Sequence, residues 1–158
     1  MELIKEALTF DDVLIEPKYS EILPAETNLS QKISKKITLN LPFLSAAMDT
    51  VTEGKMAMTM ADLGGLGIIH RNLKIEDQIR EVKKVKKKNL LVGAAVGTSQ
   101  ENLLRAKKLL DSGVDIIVVD TAHGHSKKVL NIVEKIKRFS SQVPLCAGNI
   151  ATGQAALR

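Results

Sequence analysis

From Pro42 onward the chain alternates short, unbroken apolar runs with longer amphipathic segments, and this rhythm restricts its possible folds more than any other feature. The runs are Pro42–Met48 (PFLSAAM), Leu66–His70 (LGIIH), Leu90–Gly97 (LLVGAAVG), Asp115–Ala122 (DIIVVDTA) and Val143–Ala151 (VPLCAGNIA). A strand with one wet face alternates apolar and polar side chains, whereas a strand covered on both faces reads as a continuous apolar run. Five such runs predict five buried parallel strands, and the segments between them predict covering helices. Successive runs begin roughly 24 to 28 residues apart, the size of one βα unit in a barrel or a doubly wound sheet.

The intervening segments carry helical spacing. Met56, Met60 and Leu63 follow a start signal at Thr52, Glu53 and Lys55. Ile75, Ile79, Val82 and Val85 form a stripe among lysines, and Leu103, Ala106, Leu109 and Leu110 form another between a Thr98–Ser99 cap and a Gly113 stop. Val129, Ile132, Val133 and Ile136 follow Ser126, and Thr152 caps a short segment from Gly153 to Arg158. Residues 1–41 differ in character: Pro17, Pro24 and the polar stretch Glu26–Asn40 predict an irregular arm with short strands that packs across one end of the sheet. Residues 42–158 then form the β/α part. Five strands leave a β/α barrel open, with edges where three further strands belong, so a fragment of a barrel is expected. The alternative on topology alone is a complete open sheet of five strands.

Composition narrows the partners. Lys plus Arg number 23 against 18 Asp plus Glu, giving a formal charge of +5, but aromatics are only 3% and Trp is absent. A base-stacking nucleic-acid surface is therefore not expected. A single cysteine excludes an intrachain disulfide framework and a cysteine-based zinc site, and fits a reducing compartment, with the cytoplasm as the expected location. No run approaches the ~18 to 20 apolar residues of a membrane span. The start, MELIKEALTFDD, lacks the basic residues and apolar core of a signal peptide.

Chemistry in parallel β/α folds gathers at the carboxyl ends of the strands. Four sets fall there: Ser45–Thr50, His70–Asn72, Asp120–Ser126 and Asn149–Thr152. In Asp120–Ser126 (DTAHGHS) a strand-terminal acid can accept from the two hydroxyls of a ribose. Competing readings make Asp120, His123 and His125 metal ligands, or make Asp120 and Ser126 simple backbone caps. Met48 serves either as core filler or as a flexible apolar face against a flat ring. Asp49 and Thr50 read as ligand-directed or as turn residues. Gly64, Gly65 and Gly67 fit no phosphate loop, and Gly93–Gly97 lacks a dinucleotide fingerprint. Cys146 sits inside an apolar run away from any activating group and reads as a structural thiol.

Six ordered motifs, ALTFDDVLIEP, LNLPFLSAAMDTVTE, GGLGIIHRN, VGAAVG, DIIVVDTAHGHS and AGNIAT, span nearly the whole chain and resemble the inosine-5'-monophosphate dehydrogenases of bacterial type. The resemblance implies a (β/α)8 barrel, of which this chain supplies about the first five units. It implies oxidation of IMP to XMP with NAD in guanine nucleotide synthesis, a monovalent cation, commonly potassium, and a homotetramer. Met48 matches the methionine that packs on the hypoxanthine ring. Asp120 matches the acid that holds the nicotinamide ribose, and Asn149 the asparagine near the nicotinamide. Thr98, Thr121, Ala122 and His123 match the surface along which the dinucleotide lies.

Family members use a catalytic cysteine, a cation loop and a flap arginine, all expected beyond Arg158 in the carboxyl-terminal remainder of the barrel. No catalytic residue and no metal ligand is therefore assigned within this chain, which is expected to be inactive alone. Relatives usually carry a tandem CBS module between the second helix and the third strand; here Lys86–Asn89 run straight into Leu90, so that module is expected to be absent. Two alternatives remain: a relative of the GMP reductases, and a non-catalytic nucleotide-binding half-barrel.

Overall fold

The computed structural model describes residues 6–158, so the first five positions of the arm lie outside the described residues. The chain opens with two 3-10 turns, Phe10–Asp12 and Pro24–Glu26, and a small antiparallel hairpin of β1 (Gln31–Lys32) and β2 (Thr38–Leu39). Five parallel strands follow, β3 (Leu44–Ser45), β4 (Leu66–Ile69), β5 (Gly93–Val96), β6 (Ile116–Asp120) and β7 (Leu145–Gly148). They alternate with α1 (Gly54–Asp62), α2 (Ile75–Lys86), α3 (Gln100–Asp111), α4 (Lys127–Phe139) and α5 (Gly153–Ala156). All five apolar runs contain a strand, although β3 keeps only two residues of ladder.

The strand order decides between the two architectures left open by spacing. It is β3-β4-β5-β6-β7, strictly sequential, with none of the reversal that defines a doubly wound sheet. Sequential right-handed βα units place every helix on the same face and curl the sheet, as in the first part of a (β/α)8 barrel. Two apolar clusters lie on the two faces. Ile69, Ala94, Val96, Ile117 and Val119 point outward and pack under Val82, Val85, Ala106, Leu109, Val129, Ile132 and Ile136 of the helices. Leu66, Ile68, Ala95 and Ile116 point inward and are covered by Ile37 and Leu39 of the hairpin, which plugs the amino-terminal end of the curled sheet.

Three expectations need correction. The strands were expected to be covered on both faces, but only β4 and β5 are wholly buried; β3 and β7 are partly exposed because each is an edge strand. In α1, the Met56–Met60–Leu63 stripe is not the core face. Met56 and Leu63 are exposed, and the helix instead buries Ala57 against β4 and Gly54 against Glu81 of α2. Gly67 permits this approach, since a Cβ there would land on the Ala57 backbone. Finally, Thr52 does not cap α1: Glu53 occupies that position, and Thr52 is buried with its hydroxyl turned back toward β3. Along the arm, Phe10, Leu14, Ile15 and Tyr19 are exposed, so among the described residues only the hairpin is anchored by burial.

Candidate functional site at the carboxyl ends of the strands

The carboxyl ends of β3 to β7 form one continuous edge, and each sequence-predicted site residue stands on it. At β3, the Thr52 hydroxyl donates to the Ala46 carbonyl at 2.6 Å and lies 2.9 Å from Ser45 Oγ, while the amides of Val51 and Thr52 both donate to the Met48 carbonyl. This pinned turn presents Met48 outward. Met48 is 55% exposed in this chain, so no described residue buries it.

The β4 loop is tied to this turn. Asn72 Nδ2 donates to Asp49 at 3.4 Å, and the Asn72 amide donates to His70 Nδ1 at 3.1 Å. Because Nδ1 accepts, the proton of the buried His70 ring resides on Nε2, which faces Glu53 Oε1 at 3.4 Å. Asp49 is thus a loop-joining residue as well as a turn residue. At β5, the Gly97 amide donates to Asn102 Oδ1 at 2.8 Å and fixes the backbone just before the half-buried Thr98.

The β6 and β7 ends are stitched together beyond their ladder. Asp120 stands opposite Gly148 in the parallel register, the Thr121 amide and hydroxyl both donate to the Gly148 carbonyl, and the Asn149 amide donates to the Thr121 carbonyl. The Gly124 amide then donates to the Asn149 carbonyl at 2.6 Å, a contact so close that a Cβ on Gly124 would collide with it. Ala122, His123 and Asn149 are left exposed on the folded-over loop. Asp120 shares the inward face of Ile116 and Val118 by strand alternation. Among the described residues, its carboxylate accepts no hydrogen bond and joins no ion pair. Ser126 caps α4, accepting from the Val129 amide, so one half of the backbone-cap reading holds and the other, for Asp120, does not.

No group of three or more His, Cys, Asp or Glu comes together among the described residues, and the pairing of Asp120 with His123 and His125 around a metal has no geometric support. Cys146 lies on β7 opposite Val118, on the inward face; desolvation pushes its thiol pKa up, the opposite of what an activated nucleophile needs.

A family model described as the IMP dehydrogenase / GMP reductase domain matches residues 7–158. The chain belongs to this family. It is 37% identical to an inosine-5'-monophosphate dehydrogenase of Borreliella burgdorferi, over 99% of this chain and 51% of that protein. It is 39% identical to one from Cryptosporidium parvum, over 96% of this chain and 48% of that protein, and 33% identical to one from Aquifex aeolicus, over 96% and 57%. The chain thus spans about half the length of these IMP dehydrogenases. The alignment with the Aquifex protein runs over 279 residues against the 158 of this whole chain, so at least 121 of its positions have no counterpart here.

Sequence reasoning gave Thr52 only a place in a helix start and Asn72 only a place in a strand-end set, and it assigned no role to Gln78 or Arg105. Gln78 and Arg105 did carry a signal. Gln78 falls on the stripe of α2 between Ile75 and Val82, and Arg105 precedes Leu109 by one turn, so each is a polar residue on a buried face. Such a residue is retained only where it has partners.

Proposed function

We propose that this chain forms the nucleotide-facing first part of an NAD-dependent IMP dehydrogenase barrel, which oxidises IMP to XMP. The observation that carries this reading is the Asp120 carboxylate, which has no partner among the described residues and ends β6 on an edge that also presents Met48. A strand-end carboxylate without a protein partner has both oxygens available for a vicinal diol, which suits the nicotinamide ribose. Asn149, Thr98, Thr121, Ala122 and His123 flank it on the same edge and line the dinucleotide path, while Met48 lies against the purine. The exposed, unbranched side chain of Met48 can adapt to a flat ring.

The fit of the dinucleotide to these residues rests on this chain's own chemistry. Bound NAD supplies a hydride acceptor. Asp120 holds and orients the ribose, the Thr121–Asn149 stitch keeps the β6 loop over the strand end, and Met48 excludes water from one face of the purine. The nucleophile, the cation site for potassium and the water-activating arginine belong to the carboxyl-terminal remainder of the barrel. That remainder is also the partner that the edges of β3 and β7 await. Exposed Phe43, Leu44, Met56 and Leu63 beside β3 support this, as does the doubled length of the relatives. The assembled enzyme is proposed to be a cytoplasmic homotetramer. Residues 1–41 serve as its arm and plug, residues 42–158 as the first part of its barrel, and the surplus of the Aquifex relative is assigned to a module missing between Lys86 and Leu90.

The test is turnover by this chain joined to the carboxyl-terminal segment of its relatives. IMP-dependent reduction of NAD is expected, and the chain alone is expected to be silent. The family model also includes GMP reductases, so the second reading is deamination of GMP driven by NADPH; activity there without IMP oxidation would select it.

A further inference from the structure

The carboxyl ends of β4 and β5 do not pair with each other. Their ladder stops at Ile69 and Ala94, whereas β5 and β6 stay in register to Val96 and Val119. Parallel strands that splay apart leave carbonyls without their ladder partners, and buried carbonyls need donors. The side chain of Gln78, fully buried in α2, enters this gap. Its Nε2 lies 3.3 Å from the Ile69 carbonyl, 3.0 Å from that of His70 and 2.9 Å from that of Ala95. Two amide hydrogens therefore serve three acceptors on two strands.

Arg105 of α3 completes the tie. Its Nη1 donates to Gln78 Oε1 at 2.9 Å, which fixes the amide with its nitrogen toward the strands, and its Nη2 donates to the Leu73 carbonyl at 3.0 Å. Arg105 is 7% exposed, and its Nε is buried without a partner among the described residues. The nearest carboxylate, Glu101, is 3.9 Å away and largely in solvent. Burial of a guanidinium is costly, and apolar replacements of buried ionic groups are often neutral or stabilising. Cohesion alone does not account for this pair; its distinctive product is geometry. It holds the loop His70–Leu73 and the strand end before Thr98 at a fixed separation, at the edge described above.

We propose that Gln78 and Arg105 are positioning residues, which set the β4 and β5 loops so that Thr98 meets the dinucleotide and Asn72 reaches Asp49 in the Met48 turn. The functional half of this inference rests on the reading of the edge as the NAD and IMP site. The structural half does not.

The experiment uses the chain joined to the carboxyl-terminal segment of its relatives, with Gln78→Met and Arg105→Lys read by amide hydrogen exchange and by kinetics. Arg105→Lys keeps the charge but cannot span both acceptors, and it serves where Gln78→Met fails to fold. In either variant, exchange in residues 70–73 and 95–98 is expected to accelerate about tenfold or more, while residues 121–126 stay unchanged; loss of a hydrogen bond to a charged group is of that order. The KM for NAD is expected to rise by a similar factor, with kcat largely retained. Acceleration spread evenly over the sheet, with unchanged KM values, would overturn the proposal and reduce the pair to core cohesion. Loosened loops with unchanged KM values would overturn the placement role. If the parent protein binds neither nucleotide, the site reading fails, and the exchange pattern still decides whether the tie exists.

Discussion

Lys86 Nζ, in the last turn of α2, lies 2.8 Å from the carboxylate of Asp115 at the foot of β6, and the same carboxylate accepts from the Val92 amide at 2.8 Å. Lys86 also donates to the Leu90 carbonyl at 3.2 Å. Both ends of the α2–β5 connection are thus anchored independently of the turn between them, where Asn89 adopts a positive φ of 56°.

That arrangement makes the connection a tolerant point for insertion. A flexible Gly/Ser segment placed between Lys88 and Asn89 is expected to lower stability by less than ~1.5 kcal/mol in urea unfolding, since loop closure grows only slowly with length. Asp115→Ala, which strips the Lys86 ammonium and the Val92 amide of their acceptor, is expected to cost about 1 to 3 kcal/mol. A loss below ~0.5 kcal/mol for Asp115→Ala would show that the ion pair does not anchor the junction.

Asp120→Ala in the completed barrel is expected to raise the KM for NAD by roughly 10- to 100-fold, as lost hydrogen bonds to a charged acceptor predict. The KM for IMP should move far less. Steady-state titrations of each substrate at saturation of the other decide it, and equal shifts in both would sink the assignment of Asp120 to the cofactor ribose.

Gly67→Ala is expected to destabilise the protein by about 1 to 3 kcal/mol, the cost of overpacking a filled contact. The new methyl group would come within 2.7 Å of Ala57 Cβ and against its backbone, where no flexible side chain can yield. Gly153→Ala, with open space around it, serves as the control and should be neutral or better.

Cys146 tests the chemistry of the inward face. Its raised pKa means that the folded state favours the neutral thiol. Stability from this group is complete below the ordinary thiol pKa and declines as pH rises above it, where the unfolded chain gains the thiolate more readily. Alkylation by iodoacetamide near neutral pH is expected to be slower than that of a free cysteine thiol. Rapid alkylation would show a lowered pKa and reopen the nucleophile reading.

Much of this architecture was legible in the residues. Continuous runs such as LGIIH and GAAV announced strands buried on both faces, and Ser126 and Gly113 marked helix boundaries because capping and positive φ are local demands. Less could be read where a residue's role depends on distant partners. Met56 and Leu63 had helical spacing but face outward, because Gly67 lets Ala57 occupy the contact. Thr52 resembled a cap, yet its hydroxyl bonds across the turn to Ala46. Gln78 and Arg105 are 27 positions apart, and only the fold brings the amide of one to the guanidinium of the other. At the candidate site, the strand-end positions followed from fold rhythm alone, whereas the exposure of Met48 and the lack of a partner for Asp120 among the described residues required coordinates.

The most direct test of the account is the appearance of NADH when the chain, joined to the carboxyl-terminal segment of its relatives, is mixed with IMP and NAD. The account predicts NADH and XMP in equal amounts, dependent on both substrates and strongly impaired by Asp120→Ala at low NAD. A folded barrel that binds neither nucleotide, or that instead consumes NADPH with GMP, would contradict it.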